Sequence, residues 1–270
     1  MRVGPVEISG VWNEDWNSGA RARPYSNGIA RLEFCVSLWR NTIGPTMLLY
    51  YITDRKSLAG TDAQQRSRLL ARIGEAAHAG VDYIQLREKD LAAHDLERLA
   101  RDAVRTVWAN SATAKLLVNG RADVALASGA DGVHLPAGEM VASGVRALWM
   151  QASERAPVIA VSAHTVEEVR AAADQGAKFA VLAPIFEKAN TDVRPIGLDA
   201  LRVACASTLR AESAVLALGG VTLANAGVCL EAGAAGVAGI RLFQNGDIVE
   251  TVRRLRELEG LKDLNRTSKY

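Results

Sequence analysis

The chain has little that could staple it or hold a structural metal. Its 3 cysteines, Cys35, Cys205 and Cys229, are odd in number, far apart and without a CxxC pair. That pattern excludes a disulfide framework or a zinc site, and it fits a reducing cytoplasm. Long apolar runs are missing too. No stretch of about 18 consecutive apolar residues exists, so no membrane-spanning helix is expected. The longest apolar run near the start, 32–39, is broken by Glu33 and lacks a small-residue cleavage site. An excess of one charge is also absent. With 32 Lys+Arg against 30 Asp+Glu the net charge is +2, which argues against a general nucleic-acid binder. No GxGxxG opens the first strand–helix unit, which weakens a dinucleotide-binding reading. The remaining composition is ordinary for a globular protein, 49% apolar and 23% charged. A chain of 270 residues can bury a large core without disulfides.

The chain divides near residue 46. Residues 1–46 hold three of the five tryptophans (Trp12, Trp16 and Trp39) with five arginines, four acids and no sustained period. This segment reads as a poorly ordered extension. Met47 stands directly before the first clean strand and is the expected start of translation. The acids Glu7, Glu14, Asp15 and Glu33 argue against a targeting peptide. From residue 48, short β-branched apolar runs alternate with segments of helical length. Strands are predicted at 48–53, 81–87, 115–120, 132–135, 158–163, 179–186, 214–220 and 236–243. Helices are predicted at 61–79, 92–109, 165–175 and 248–260, with a tail at 263–270. A glycine stands just before a strand in Ala79-Gly80-Val81, Ser128-Gly129-Ala130, Gln175-Gly176-Ala177 and Ala232-Gly233-Ala234, as expected where a helix closes in the left-handed conformation. The strands are nearly continuous apolar runs, the pattern of parallel strands covered on both faces. Eight such units within residues 47–262 predict an α/β fold, a (β/α)8 TIM barrel, with a doubly wound open sheet as the alternative.

In a barrel the chemistry lies at the C-terminal strand ends. The second strand ends in Gln85-Leu-Arg87-Glu-Lys89, and alternation puts Gln85, Arg87 and Lys89 on one side. Two cations there suit a diphosphate or carboxylate, unless they merely pair with Glu88 or Asp90. Gln85 offers a donor and an acceptor to a heterocycle edge. Asn119, ending the third strand, either binds a ligand or caps the next helix. After the fourth strand, His134 reads as a structural residue and Glu139 as a weak candidate ligand for a hard cation such as Mg²⁺. Ser162 and His164 share a side after the fifth strand, and His164 suits proton transfer near neutral pH. The alternative is a loop histidine beside a helix-capping Thr165. Gly219-Gly220 after the seventh strand and Arg241 after the eighth stand where such barrels bind phosphate.

Together these stretches resemble the thiamine phosphate synthase and thiazole tautomerase (TenI) superfamily over roughly residues 48–245. The resemblance is carried by Tyr51-Ile-Thr-Asp54, Gln85-Leu-Arg-Glu-Lys89, Val118-Asn119, Gly129-Ala-Asp-Gly-Val-His-Leu135, Val161-Ser-Ala-His164, Pro184-Ile-Phe186 and Leu218-Gly-Gly-Val221. It implies a synthase that joins a pyrimidine methyl diphosphate to a thiazole phosphate. Pyrophosphate leaves with magnesium help, and the thiazole nitrogen captures the pyrimidine methylene cation. Carried over, Gln85 would hold the pyrimidine, Arg87, Lys89 and Asn119 the diphosphate, and Ser162 the reacting rings. Gly219, Gly220 and the loop at Ile240 would hold the thiazole phosphate. The implied partners are small phosphorylated heterocycles.

The chain also departs from the pattern. The magnesium-binding Asp expected after Asn119 is Gly120. His-x-Gly-Gln-x-Asp appears as His134-Leu-Pro-Ala137-Gly-Glu139, leaving Glu139 as the remaining ligand for Mg²⁺. The threonines and lysine of the sixth loop are changed, with Lys188 nearby as a displaced cation, and a serine of the eighth strand is Arg241. These losses fall on the metal and diphosphate apparatus. They keep two alternatives open beside the synthase: a thiazole tautomerase using His164, and a non-catalytic barrel that binds thiamin precursors.

Overall fold

The computed structural model describes residues 47–138, 140–187, 193–209 and 211–267. The N-terminal extension, Glu139 and Lys188 lie outside the described residues. Eight parallel strands close in sequence order into a barrel, with β8 paired to β1. They are β1 Leu48–Ile52, β2 Tyr83–Leu86, β3 Lys115–Asn119, β4 Gly132–Leu135, β5 Val158–Ala163, β6 Phe179–Leu182, β7 Ala214–Ala217 and β8 Gly236–Gly239. The helices between them are α1 Asp62–Ala79, α2 Ala93–Asn110, α3 Ala122–Ser128, α4 Ala142–Ala152, α5 Val166–Asp174, α6 Gly197–Ser207 and α7 Ala226–Glu231. A short α8, Arg241–Gln244, and a long α9, Ile248–Thr267, complete the chain. The open-sheet alternative is thereby excluded.

Local signals explain the element ends. Thr61 and Gln64 form a reciprocal capping box at the start of α1, and Gly80 ends it at φ +94°. Most predicted strands were too long: β2 starts at Tyr83 and not at 81, and the last three overrun the most at their C-terminal ends. β6, β7 and β8 stop at Leu182, Ala217 and Gly239 because the following residues turn into the mouth loops, and 241–244 is helical. α9 runs past its predicted end, so the expected tail begins inside a helix.

Two apolar layers result from the strand alternation. Tyr50, Ile52, Leu117, Ala160, Phe179, Val181, Leu216 and Ala238 fill the barrel interior. Tyr50 meets Phe179 edge-on at 5.2 Å, and Tyr83 lies 4.9 Å from the same ring. The opposite strand faces pack under the helices, with Leu49, Ile84, Leu116 and Val237 against Leu69, Ile73 and Leu99 on one side. Among the described residues no helix is long and apolar enough to cross a membrane. Cys205 and Cys229 are both buried, and burial pushes the Cys229 thiol up to about 11.

Candidate active site

The interior parity places the predicted residues. Gln85 continues the inward row of Tyr83, Asn119 that of Leu117, and Ser162 that of Ala160. Gln85 is 1% exposed, and its Nε2 is buried without a hydrogen-bond partner. A buried, unmatched donor costs free energy unless a ligand supplies the acceptor. Asn119 is half-buried, and its side chain makes no hydrogen bond among the described residues. It does not cap the next helix, because Arg121 occupies that position.

Glu88 and Asp90 pair with neither Arg87 nor Lys89. They are held by Arg55, which follows β1. Its guanidinium reaches Asp90 at 2.6 and 2.8 Å, Glu88 at 3.3 Å and Asp62 at 2.9 Å, with its side chain only 1% exposed. Thr53 locks the same corner: its hydroxyl donates to Glu88 Oε1 at 2.6 Å and accepts from the Arg87 amide at 2.9 Å. Burial raises the Glu88 carboxyl above its ordinary range, with Thr53 and Arg55 opposing. Glu88 is thus turned outward and Arg87 inward. Among the described residues neither Arg87 nor Lys89 has an ion-pair partner. Sequence reasoning missed Arg55 and Thr53; the one available signal was a lone arginine directly after the first strand.

A hydrogen-bonded row crosses the barrel beneath this corner. The Tyr50 phenol lies 3.0 Å from His134 Nδ1, and His134 Nε2 lies 2.8 Å from Ser162 Oγ. Burial, with the Arg87 charge nearby, pushes His134 down to about 3, so the imidazole is neutral. Burial also holds the Tyr50 phenol well above its ordinary value, with the adjacent Gln85 opposing. His134 is therefore a core residue, as the sequence suggested, but one that touches a candidate site residue.

His164 is exposed at the rim. Its Nδ1 lies 2.9 Å from the Ala183 carbonyl, and its backbone N–H donates to Glu168. The neighbouring Thr165 caps α5 by accepting from the Glu168 amide. The Nδ1 contact requires an N–H there, which leaves Nε2 with its lone pair in the neutral ring.

On the far side of the mouth, Gly219 and Gly220 turn at φ +91° and +69°. Their amides and that of Ile240 donate to no group among the described residues. Asn225, which sequence reasoning missed, braces the turn by donating to the Gly220 carbonyl at 2.9 Å. Gly220 has a packing role as well. A Cβ there would stand 2.7 Å from Phe186 Cβ and 2.8 Å from the Glu187 carbonyl oxygen. Gly220→Ala is expected to lower stability by about 1–3 kcal/mol through strain and overpacking, measurable by urea unfolding. A variant as stable as the parent would refute that contact. Ile240 packs on the interior cluster, and Arg241 opens α8, exposed.

The described residues do not fit a magnesium site. No three His, Cys, Asp or Glu side chains among them converge. Gly120 replaces the expected ligand at φ +67°, and the next carboxylate, Asp123, is clasped by Arg121 at 2.6 and 2.9 Å.

A closed eightfold barrel, whose mouth carries cations without ion-pair partners and backbone amides without acceptors among the described residues, defines a barrel enzyme that works on phosphorylated ligands. The chain belongs to the thiamine monophosphate synthase family, whose model matches residues 49–243. A protein of Geobacter sulfurreducens, whose curated name gives the thiamine-phosphate synthase activity provisionally, is 43% identical over 70% of this chain and 83% of its own length. Thiamine-phosphate synthase of Coprothermobacter proteolyticus is 34% identical over 78% of this chain and 93% of its own. The solved thiamine phosphate pyrophosphorylase of Pyrococcus furiosus superposes with a TM-score of 0.65 at 27% identity, covering 79% of this chain and 96% of that one.

Proposed function

We propose that this protein is a thiamine phosphate synthase working in the cytoplasm on two small phosphorylated heterocycles. The observation that carries the reading is the pair Arg87 and Lys89, left without carboxylate partners among the described residues because Arg55 takes Glu88 and Asp90. A tautomerase has no diphosphate to hold. In the synthase the C–O bond of the pyrimidine methylene breaks, and the electron pair leaves with pyrophosphate. The thiazole nitrogen then donates its lone pair to the methylene carbon. Arg87 and Lys89 stabilise charge on the departing diphosphate, and Asn119 faces it. Gln85 gives its unmatched amide donor to the pyrimidine edge. Ser162 faces the reacting rings, and the amides of Gly219, Gly220 and Ile240 anchor the thiazole phosphate beside Arg241. Lys188 and Glu139 complete the set implied by the resemblance. Holding both rings in line supplies much of the rate.

Purified protein given pyrimidine diphosphate, thiazole phosphate and Mg²⁺ is expected to form thiamine phosphate and pyrophosphate. Loss of product with EDTA would make Glu139 the carboxylate to test as a metal ligand. Persistence with EDTA would make Arg87 and Lys89 sufficient. No product, with thiazole phosphate still bound, would overturn the synthase in favour of the tautomerase. One observation favours that second reading: the Nδ1 contact of His164 leaves Nε2 ready to take a proton.

A further inference from the structure

Ser162 stands at the end of a row that begins deep in the barrel. Tyr50 and His134 are 0% and 3% exposed, so neither reaches solvent. The two contacts by themselves leave the donors open, because either ring nitrogen can carry the hydrogen. Besides His134, the Tyr50 phenol has the Gln85 side chain beside it, which acts on the phenol oxygen as a donor would. A phenol that gives its one buried proton to Nδ1 leaves no hydrogen unmatched, and Nδ1 then carries the lone pair. In a neutral imidazole the other nitrogen bears the hydrogen. In that tautomer Nε2–H donates to Ser162 Oγ, and the serine hydroxyl has no other protein partner among the described residues.

We propose that His134 is a positioning residue. Locked by Tyr50 in its Nε2–H tautomer, it occupies the acceptor side of Ser162, so that the serine offers its own proton to an acceptor atom of the ligand. Three features support this beyond the distances. Tyr50 is wedged between Tyr83 and Phe179, which fixes the phenol. The His134 ring lies 5.8 Å from the Tyr50 ring, tilted by 35°, so the two rings pack against each other. The positive charge of Arg87 opposes a second proton on His134, keeping the ring a fixed relay instead of an acid. The inference rests on the reading that Ser162 faces the reacting groups, but the tautomer itself does not depend on it. The ligand atom selected is an acceptor, a phosphoryl oxygen or a ring nitrogen. A ligand presenting a donor at that point would meet a mismatched hydroxyl.

Two measurements test it. Long-range ¹⁵N–¹H correlation spectra of the histidine-labelled full chain are expected to show His134 protonated at Nε2 and bare at Nδ1. In Tyr50→Phe, which keeps the ring packing, the Nδ1–H form is expected to appear. A protonated Nδ1 in the parent, or no change in Tyr50→Phe, would overturn the relay even if the protein turned over no substrate. The second measurement is a double-variant cycle on kcat/KM. Tyr50→Phe alone is expected to lose about tenfold, the scale of one misdirected hydrogen bond. In a Ser162→Ala background the same change should cost almost nothing further. His134→Gln, which keeps one donor and one acceptor, is expected to retain more activity than His134→Leu. Additive losses, or equal losses for Gln and Leu, would reduce His134 to a packing residue.

Discussion

Arg87→Ala is expected to lower synthase kcat by about 10²–10³-fold with little effect on stability. That is the scale of removing one donor that faces developing negative charge. The side chain is half-buried, faces the mouth by strand parity and has no carboxylate to release among the described residues. Its loss therefore leaves no unpaired acid behind, and the effect falls on the diphosphate. Steady-state kinetics and a urea titration on the same variant separate the two. His164→Ala is expected to change this activity far less. If His164→Ala cripples turnover while Arg87→Ala spares it, the tautomerase reading wins. Equal, small effects of both would sink the assignment of roles.

Arg55→Ala is expected to be the most damaging change to the fold of the mouth, costing roughly 3 kcal/mol or more, as when one partner of a buried ion pair is removed. Glu88, whose side chain is 2% exposed, would keep only Thr53 and one backbone amide. The loss depends on pH with a definite sign. Arg55 holds the Asp90 carboxyl low, assists Arg66 in holding Asp62 low, and opposes the upward push of burial on Glu88. Its contribution is present where those groups are ionised and is lost as pH falls through the carboxylate range. The difference between parent and variant is thus largest near neutrality and shrinks on acidification, which chemical denaturation at several pH values would show. A constant difference would mean that Arg55 acts by packing alone. The same variant should lose activity beyond its stability deficit, because Glu88 freed from Arg55 can turn to Arg87 and neutralise it.

The barrel was legible in the chain because parallel strands covered on both faces must be apolar throughout, and the helices between them carry their own end signals. Leu48–Ile52 and Gly132–Leu135 fall at the start and within a residue of the end of their predicted runs. The overlong β6 and β8 show the limit. Apolar residues such as Ile185 and Phe243 are buried after the strand has ended, so burial alone does not mark the end of the ladder. The same parity rule placed Gln85, Arg87, Asn119 and Ser162 on the inner side, since side-chain alternation is a local property. It could not say which carboxylate would pair with which cation. Glu88 and Asp90 sit beside Arg87 and Lys89 in the sequence, yet they pair across a neighbouring strand end.

The sequence by itself determined the repeat of strand and helix, its count of eight units and which side-chain types stand at the strand ends, because spacing and side-chain type are carried by neighbours along the chain; that the sheet closes was decided by the pairing of β8 with β1. Tertiary structure alone decided that Arg55 takes Glu88 and Asp90, leaving Arg87 and Lys89 without ion-pair partners among the described residues, that Asn225 braces the glycine turn, and that Tyr50 and Ser162 meet through His134. These partners lie 33, 5, 84 and 28 residues apart. For all but the Asn225 brace, barrel closure brings them within hydrogen-bond distance, and for that brace the turn itself does so. Distance-dependent forces act only after that geometry exists.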